Sequence, residues 1–497
     1  MRSTFRPALV LMTGRTLGFA VSFCLPIILV RIFDQAEFGT YKQMFLIYGT
    51  LFGIVQLGMA ESLFYFLPRA VRDSGSYVVN STLVLAAAGL ACLVFLTMAG
   101  DMIAGWMSNP GLAPLVPLLG LFTLLMLAAS GLEIVMTSRN RYVLAATSYA
   151  CSDFARAMLC VLPVLLVPKL EWLLIGAIAF ASLRLCAMAW YVWQEFDGSL
   201  RPNLEFLKHQ FIYAAPFALY VLVHVMQDTL HQYAVSYYFD AATFAIYSVG
   251  CLQVPLVDLM ATSTVNVMMV KMAEEIKEGR DNAVVDMWHD TIRKLALIFF
   301  PLFGVLLVTA RDLIVLLFTE AYFASVPIFM VWSSAILLAV IPMDGLLRVY
   351  AQTRFLLALN VIRLLMIAAC LHWFLSALEL VGAVLITVLA SALGKGLGLV
   401  RMKYLWQVGL ADLLPWRNLL GIGAVAAAAG LATVIVSSSL DVAALPRLVT
   451  AGLVYTVSYL GIAFSVGLVR ESEWALLADW FRRLGIGSSR AQELQGS

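Results

Sequence analysis

The sequence predicts an all-α polytopic membrane protein of about fourteen transmembrane helices: two pseudo-symmetric six-helix bundles followed by two C-terminal helices. Three observations predict it. Hydrophobic residues make up 62% of the chain and charged residues 12%, far from the balance of a soluble domain. Apolar windows long enough to cross a bilayer recur along the whole length. The connections between those windows are alternately rich and poor in Lys and Arg.

In order, the windows have cores at residues 9–30, 43–66, 77–99, 113–136, 143–167, 172–193, 211–236, 243–268, 291–310, 324–345, 355–375, 379–400, 418–437 and 448–469. Arg311 and Asp312 interrupt the apolar run between the ninth and tenth. Even-numbered connections carry Arg69 and Arg72, Arg139 and Arg141, Arg201 and Lys208, Lys271, Lys277 and Arg280, Arg348 and Arg354, and Arg401 and Lys403. Odd-numbered ones hold a scatter such as Lys169 and Arg447. The positive-inside rule then places both termini in the cytoplasm, as an even number of spans requires. The start, MRSTFRPALV, leads into the first window with no small-residue cleavage site, so the first helix is expected to be retained.

The longest connections, 194–210 and 271–290, leave no room for a soluble catalytic domain, and no nucleic-acid partner is expected. All seven cysteines lie in apolar stretches without CxxC spacing, so they read as small core residues rather than disulfides or metal ligands. After the last window, ESEWALLADWFRRL puts Trp474, Leu477, Ala478, Phe481 and Leu484 on one face, with Arg482 and Arg483 beside them. That pattern suits a helix lying on the inner leaflet or docked on the cytoplasmic loops.

An internal repeat relates the two bundles. Phe33–Tyr41 (FDQAEFGTY) and Phe239–Tyr247 (FDAATFAIY) agree at five of nine positions, and each joins one window to the next. A second echo pairs Arg141-Tyr142-Val143-Leu144-Ala145 with Arg354-Phe355-Leu356-Leu357-Ala358. The expected organisation is a bundle at 1–193, a cytoplasmic linker at 194–210, a second bundle at 211–403, two added helices at 404–470, and a cytoplasmic amphipathic helix and tail at 471–497.

Polar residues inside this apolar frame are the candidate site. Phe211–Phe239 could span a membrane, yet Tyr213, Tyr220, His224, Gln227, Asp228 and His231 share roughly a third of its circumference. An Asp at mid-membrane costs about 2.5–3.5 kcal/mol, so it persists where it meets water, a partner or a ligand. One reading of His224, Asp228 and His231 is a buried ion pair that fixes packing. The other is a protonatable or cation-binding site, with Asp258 of the next window stepping along one face with Thr262 and Asn266.

Five basic residues fall within windows: Arg15, Arg156, Arg184, Arg363 and Lys395. Arg15 and Lys395 are near enough to the inner surface to snorkel, and Arg156 has Asp153 at i−3 as an intrahelical partner. Arg184 and Arg363 have no acid at helical spacing. Together the five predict an anion-accepting cavity open to the inner half of the membrane. Glu133 and Asp344, near cytoplasmic helix ends, are expected to be snorkelled or loop-bonded. Pro26, Pro163, Pro216, Pro255 and Pro342 lie within windows as points of bending.

The six-plus-six-plus-two pattern resembles the lipid-linked oligosaccharide flippases of the polysaccharide transporter family, whose superfamily also holds multidrug extruders and the lipid II flippase. RIFDQAEFGTY (Arg31–Tyr41), YFDAATFAIYS (Tyr238–Ser248), GMAESLFYFLPR (Gly58–Arg69) and DGLLRVYAQTRFLL (Asp344–Leu357) carry the resemblance. It implies a transporter rather than an enzyme, in a bacterial cytoplasmic (inner) membrane. It implies alternating access for a prenyl-pyrophosphate-linked oligosaccharide used in lipopolysaccharide or exopolysaccharide synthesis. The bilayer, the lipid-linked glycan and other polysaccharide-assembly proteins are the implied partners. No cofactor is implied beyond H⁺ or Na⁺ coupling. The alternatives are a drug/cation antiporter of the same superfamily, against which the two added helices and five bases speak, and a membrane-embedded glycan-assembly enzyme or scaffold.

Overall fold

A computed structural model describes residues 5–70, 73–196, 200–439 and 443–468. Those residues form helices and turns and no strand. The amphipathic segment predicted at 471–497 lies outside them, and so does the side chain of Arg15.

The first six windows are realised as α1 (Phe5–Leu29), α2 (Gln35–Val55) with α3 (Met59–Phe66), α4 (Ser74–Trp106), α5 (Val116–Ala128) with α6 (Leu132–Ser138), α7 (Tyr142–Leu166) and α8 (Leu170–Glu195). The seventh is α9 (Leu204–Tyr238), and the eighth is α10 (Ala241–Gly250) with α11 (Pro255–Lys277). Then come α12 (Asp281–Phe318), the broken tenth window α13 (Ser325–Ser333), α14 (Ala335–Ala339) and α15 (Met343–Val349), the long α16 (Thr353–Trp406), α17 (Trp416–Ser438) and α18 (Ala444–Ser465).

Where windows break, the backbone gives the reason. Between α2 and α3, Leu57 and Gly58 have positive φ (50° and 69°) and the axis bends by 43°. The eighth window, expected to be continuous, stops after Gly250 and resumes at Pro255, which lacks an N–H and disfavours helix in the residue before it. Arg311 and Asp312, which interrupt the apolar run between the ninth and tenth windows, stay inside α12. The Asp312 carboxylate is gripped by the Arg447 guanidinium, Nε at 2.8 Å and Nη2 on the other oxygen.

By length and composition ten described helices could cross a membrane, or twelve if each bent pair is one span, rather than fourteen. The difference lies in α1 and in the 54-residue α16, which that count treats as one helix. Inside α16, Glu379 sits at φ 50°, ψ −134°, a conformation that suits glycine and costs other residues about 1–3 kcal/mol. Glu379→Gly is expected to raise the unfolding midpoint of the purified protein; a lowered midpoint would contradict strain at this corner.

By internal contacts the chain has two compact units. The first comprises Met1–Pro255, Ile314–Trp332 and Gln352–Gly396; the second comprises Leu256–Leu313, Ser333–Ala351 and Leu397–Ser497. The boundaries drawn from the repeat, at residues 193, 210, 403 and 470, divide the chain by topology and stay an expectation. Within the first unit α1 packs on α7, α7 on α8, α4 on α5, and α2 on both α9 and α10. Gly39 allows the last approach, because a Cβ there would overlap the carbonyl oxygen of Ala241. Within the second unit α17 pairs with α18, and α12 holds both ends of that hairpin. The Trp288 indole donates to the Leu413 carbonyl (2.9 Å), the Tyr459 hydroxyl donates to the Leu297 carbonyl (3.0 Å), and Asp312 takes Arg447.

The repeat is visible in atomic detail at its first motif. Asp34 and Asp240 cap α2 and α10 with nearly the same backbone (φ −69°, ψ 175° and φ −70°, ψ 172°). Each carboxylate accepts the N–H three residues on, from Glu37 at 2.8 Å and from Thr243 at 2.9 Å. The phenylalanine and tyrosine that follow, Phe38 and Tyr41 or Phe244 and Tyr247, are buried in both. Hydrogen bonds from the Thr243 hydroxyl, then from its backbone N–H, hold the Asp240 carboxyl below the usual carboxylate range. The cap therefore contributes fully above that usual range and is lost as pH falls through the lowered value. Asp240→Ala is expected to cost about 1 kcal/mol at neutral pH and progressively less in acid. A pH-independent difference in thermal midpoint would contradict it.

Candidate functional site

Among the described side chains, Arg156, Arg184 and Arg363 lie within helices of the first unit, and each has a different environment. On α7, Arg156 Nη2 donates to Asp153 Oδ1 at 2.8 Å and to Ser22 Oγ of α1 at 2.6 Å. Ser22 Oγ also lies 3.2 Å from Asp153 Oδ1, so the three side chains form a closed triangle. The Arg156 and Asp153 side chains are 30% and 27% exposed. Glycine at 18 makes room, since a Cβ there would overlap Asp153 Oδ2.

On α8, Arg184 makes a two-pronged pair with Glu133 of α6, Nη1 to Oε1 at 2.8 Å and Nη2 to Oε2 at 2.5 Å. Ser152 accepts a further bond from Nη1 (2.9 Å), and Ser148 donates to Glu133 Oε1 (2.9 Å). This pair is closed, with the side chains only 12% and 3% exposed. Glu133, expected to be snorkelled or loop-bonded, is instead the buried counter-ion of Arg184. The acid comes from another helix, which helical spacing cannot reveal.

On α16, Arg363 Nη2 donates to Ser391 Oγ at 3.0 Å and Nη1 to Asn360 Oδ1 at 3.3 Å. With the Gln227 amide oriented as its neighbours require, its oxygen accepts from Arg363 Nη2 (2.6 Å) and Nη1 (3.2 Å), and its nitrogen donates to Asn360 Oδ1 (3.3 Å). These partners are neutral, so they orient the guanidinium without adding negative charge. Glycine at 394 leaves space for the Arg363 stem.

The polar stripe of α9 separates into two edges. His224 and Asp228 form the open edge, Nε2 to Oδ2 at 3.4 Å, 51% and 57% exposed, with Tyr220 stacked on the imidazole at 6.0 Å. Gln227 and His231 form the buried edge. His231 Nδ1 meets the Tyr247 hydroxyl of α10 at 2.5 Å and its ring lies 5.8 Å from Trp332. His231 is thus a packed core histidine, buried where His224 and Asp228 are open. Lys395 lies half-buried on α16. Asp258 belongs to the second unit, exposed in the first turn of α11, where a carboxylate complements the helix dipole. Thr262 and Asn266 are exposed along the same helix.

Known proteins place this architecture. A model of the polysaccharide biosynthesis protein family matches residues 28–327, more than half of the chain. The chain belongs to that family. No curated protein sequence matches it significantly. Among solved structures, the lipid II flippase MurJ in an inward closed conformation is similar with a TM-score of 0.71 at 13% identity, covering 93% of this chain and 100% of that one. An inward-facing MATE multidrug-resistance transporter of the MOP superfamily follows at TM-score 0.59 and 14% identity, covering 80% of this chain and 99% of that one. A MOP superfamily transporter from Pyrococcus furiosus, described as having a binding pocket of reverse polarity, gives 0.57 and 14%, covering 82% of this chain and 96% of that one. At such identities the likeness is one of fold: this is a multi-pass membrane protein with the MOP transporter fold.

In this polysaccharide biosynthesis protein the repeat reaches the site itself. Asn360 and Arg363 each follow Asp153 and Arg156 by 207 residues, and both arginines stand three places after their partner. Arg156 is tied to α1 through Ser22, and Arg363 to α9 through Gln227. Sequence reasoning singled out the arginines and missed Ser22, Ser148, Ser152 and Ser391. The D-x-x-R and N-x-x-R spacing was the signal that could have shown the equivalence.

Proposed function

We propose that the chain is a flippase that carries a prenyl-pyrophosphate-linked oligosaccharide from the cytoplasmic to the outer leaflet of a bacterial inner membrane, for surface or extracellular polysaccharide synthesis. One observation carries this reading. Two repeat-related guanidiniums, Arg156 and Arg363, are each held by a polar side chain of the helix that opens its half, in a chain of the polysaccharide biosynthesis family. A guanidinium's planar fork of donors matches the oxygens of a pyrophosphate. Arg363 is the principal contact, because its amide and hydroxyl partners pre-orient it. Arg184 is a positioning residue, its fork filled by Glu133. Arg15 and Lys395 serve the inner end of the path, and the alternation of Lys and Arg among the connections supports cytoplasmic termini.

The prenyl tail stays in lipid while the headgroup crosses by alternating access. Moving an anion outward across an inside-negative membrane is favourable by about 2.3 kcal/mol per charge per 100 mV. A step that runs uphill draws on a proton or Na⁺ gradient through the open His224–Asp228 pair, an imidazole and a carboxylate exposed together on α9. Other polysaccharide-assembly proteins supply and consume the substrate on either side.

The test is reconstitution in liposomes with a labelled prenyl-pyrophosphate glycan, with and without imposed proton and Na⁺ gradients. Wild-type protein is expected to move the glycan lipid and to respond to one gradient; Asp228→Asn is expected to lose that response while still binding substrate. Gradient-driven transport unchanged in Asp228→Asn removes the pair from coupling. Export of a cationic drug in place of the glycan lipid favours the antiporter reading.

A further inference from the structure

The two intramembrane ion pairs of the first unit differ in kind. Arg184–Glu133 is two-pronged, buried and completed by Ser148 and Ser152. Arg156 holds Asp153 through a single nitrogen, Nη2, which it also points at Ser22, and both side chains are partly exposed. Among the described residues the other donors of Arg156, Nε and Nη1, make no hydrogen bond within the protein. One carboxylate oxygen lies against bare backbone at Gly18.

The charged and titratable surroundings are few. From α1 comes Ser22, and the side chain of Arg15 lies outside the described residues. From α6 and α8 come Glu133 and Arg184, closed on each other. Tyr41 and Tyr48 of α2 and Cys160 of α7 lie within electrostatic reach of Arg156. In the second half, the place of Asp153 is taken by the neutral Asn360. Arg156 thus carries a resident anion, held loosely.

We infer that Asp153 is a stand-in for the substrate's phosphate: a lipid-linked pyrophosphate displaces it from Arg156, and the released carboxylate takes a proton from water. This rests on the pyrophosphate reading above. A dianion able to use Nε, Nη1 and Nη2 together outcompetes a carboxylate held by one nitrogen. The displaced Asp153 then lies beside a second anion and has lost its cation, and like charges so close favour the neutral acid. The one covalent change is the O–H bond formed on Asp153 by a proton from the buffered solvent. The guanidinium exchanges one oxyanion for another, and one proton moves from solvent to Asp153. Anion binding and proton uptake are therefore one event at this site, and the loaded carrier holds one negative charge fewer than its ligand brings.

The experiment is calorimetric titration of the full-length protein in lipid nanodiscs with farnesyl pyrophosphate, in buffers of different ionisation enthalpy near neutral pH. Wild-type protein is expected to take up about one proton per ligand bound, with affinity weakening as pH rises. Asp153→Asn is expected to bind roughly tenfold tighter, without proton uptake and without that pH dependence. Binding by wild type with no proton uptake, or Asp153→Asn binding no tighter, overturns the exchange. The wild-type proton count decides by itself if the variant does not fold. Absence of any binding of the probe to wild type would instead overturn the pyrophosphate reading.

Discussion

Glu133→Gln is expected to destabilise the folded protein by about 3–5 kcal/mol, the cost of leaving a buried charge without its partner. The Arg184 guanidinium would remain 12% exposed with both prongs facing an amide that cannot neutralise it. Three elements meet there, α6, α7 and α8, so the loss should appear as a lower unfolding midpoint of the whole protein and poorer recovery from the membrane. Replacing both partners with methionine is expected to return most of the stability, since an apolar pair of similar volume removes the uncompensated charge. A Glu133→Gln variant as stable as wild type would return Arg184 to the candidate substrate contacts.

Arg363→Ala is expected to weaken binding of a prenyl pyrophosphate by about 2–5 kcal/mol, the range for truncating one partner of a desolvated charge pair, and to stop measurable transport. Folding should survive, because Gln227 and Asn360 can bond to each other once the guanidinium is gone. Arg363→Lys is expected to recover only part of the loss, for an ammonium keeps the charge but not the fork. Equilibrium binding with the purified variants measures both. Equal affinity of wild type and Arg363→Ala would remove Arg363 from the binding site.

Much of this was legible in the chain, and what was not has physical causes. Apolar windows mark helices well because a bilayer demands length and hydropathy together, and each predicted window is helical in the structure. The repeat was readable from Phe33–Tyr41 and Phe239–Tyr247 because both segments need the same aspartate cap and the same buried aromatics. Breaks were harder. Pro255 ends a helical run that hydropathy alone joins, and Leu57 with Gly58 bends another where no proline warns of it.

The site was legible in its residue types and less so in its pairings. Helical spacing revealed Asp153 beside Arg156, since both lie on one helix. It could not reveal Glu133 beside Arg184, which are 51 residues apart and on different helices. The α9 stripe was legible as a set of polar side chains, but a helical wheel has no inside or outside until its neighbours arrive. Packing from α10 and α16 buries His231 and Gln227 and leaves His224 and Asp228 open. The bases read as one cationic cavity therefore differ in setting: Arg184 in a closed pair, Arg156 in a loosely held one, Arg363 bonded to Gln227, Asn360 and Ser391, and Lys395 half-buried on α16.

The central claim is that the protein recognises the charged pyrophosphate of a lipid-linked glycan and moves it across the bilayer. The most direct measurement is translocation by wild-type protein in liposomes of two labelled lipids that share prenyl tail and glycan and differ only in the link, a pyrophosphate in one and an uncharged ether in the other. Transport of the pyrophosphate lipid alone is the predicted result. Equal transport of both, or of neither, would contradict it.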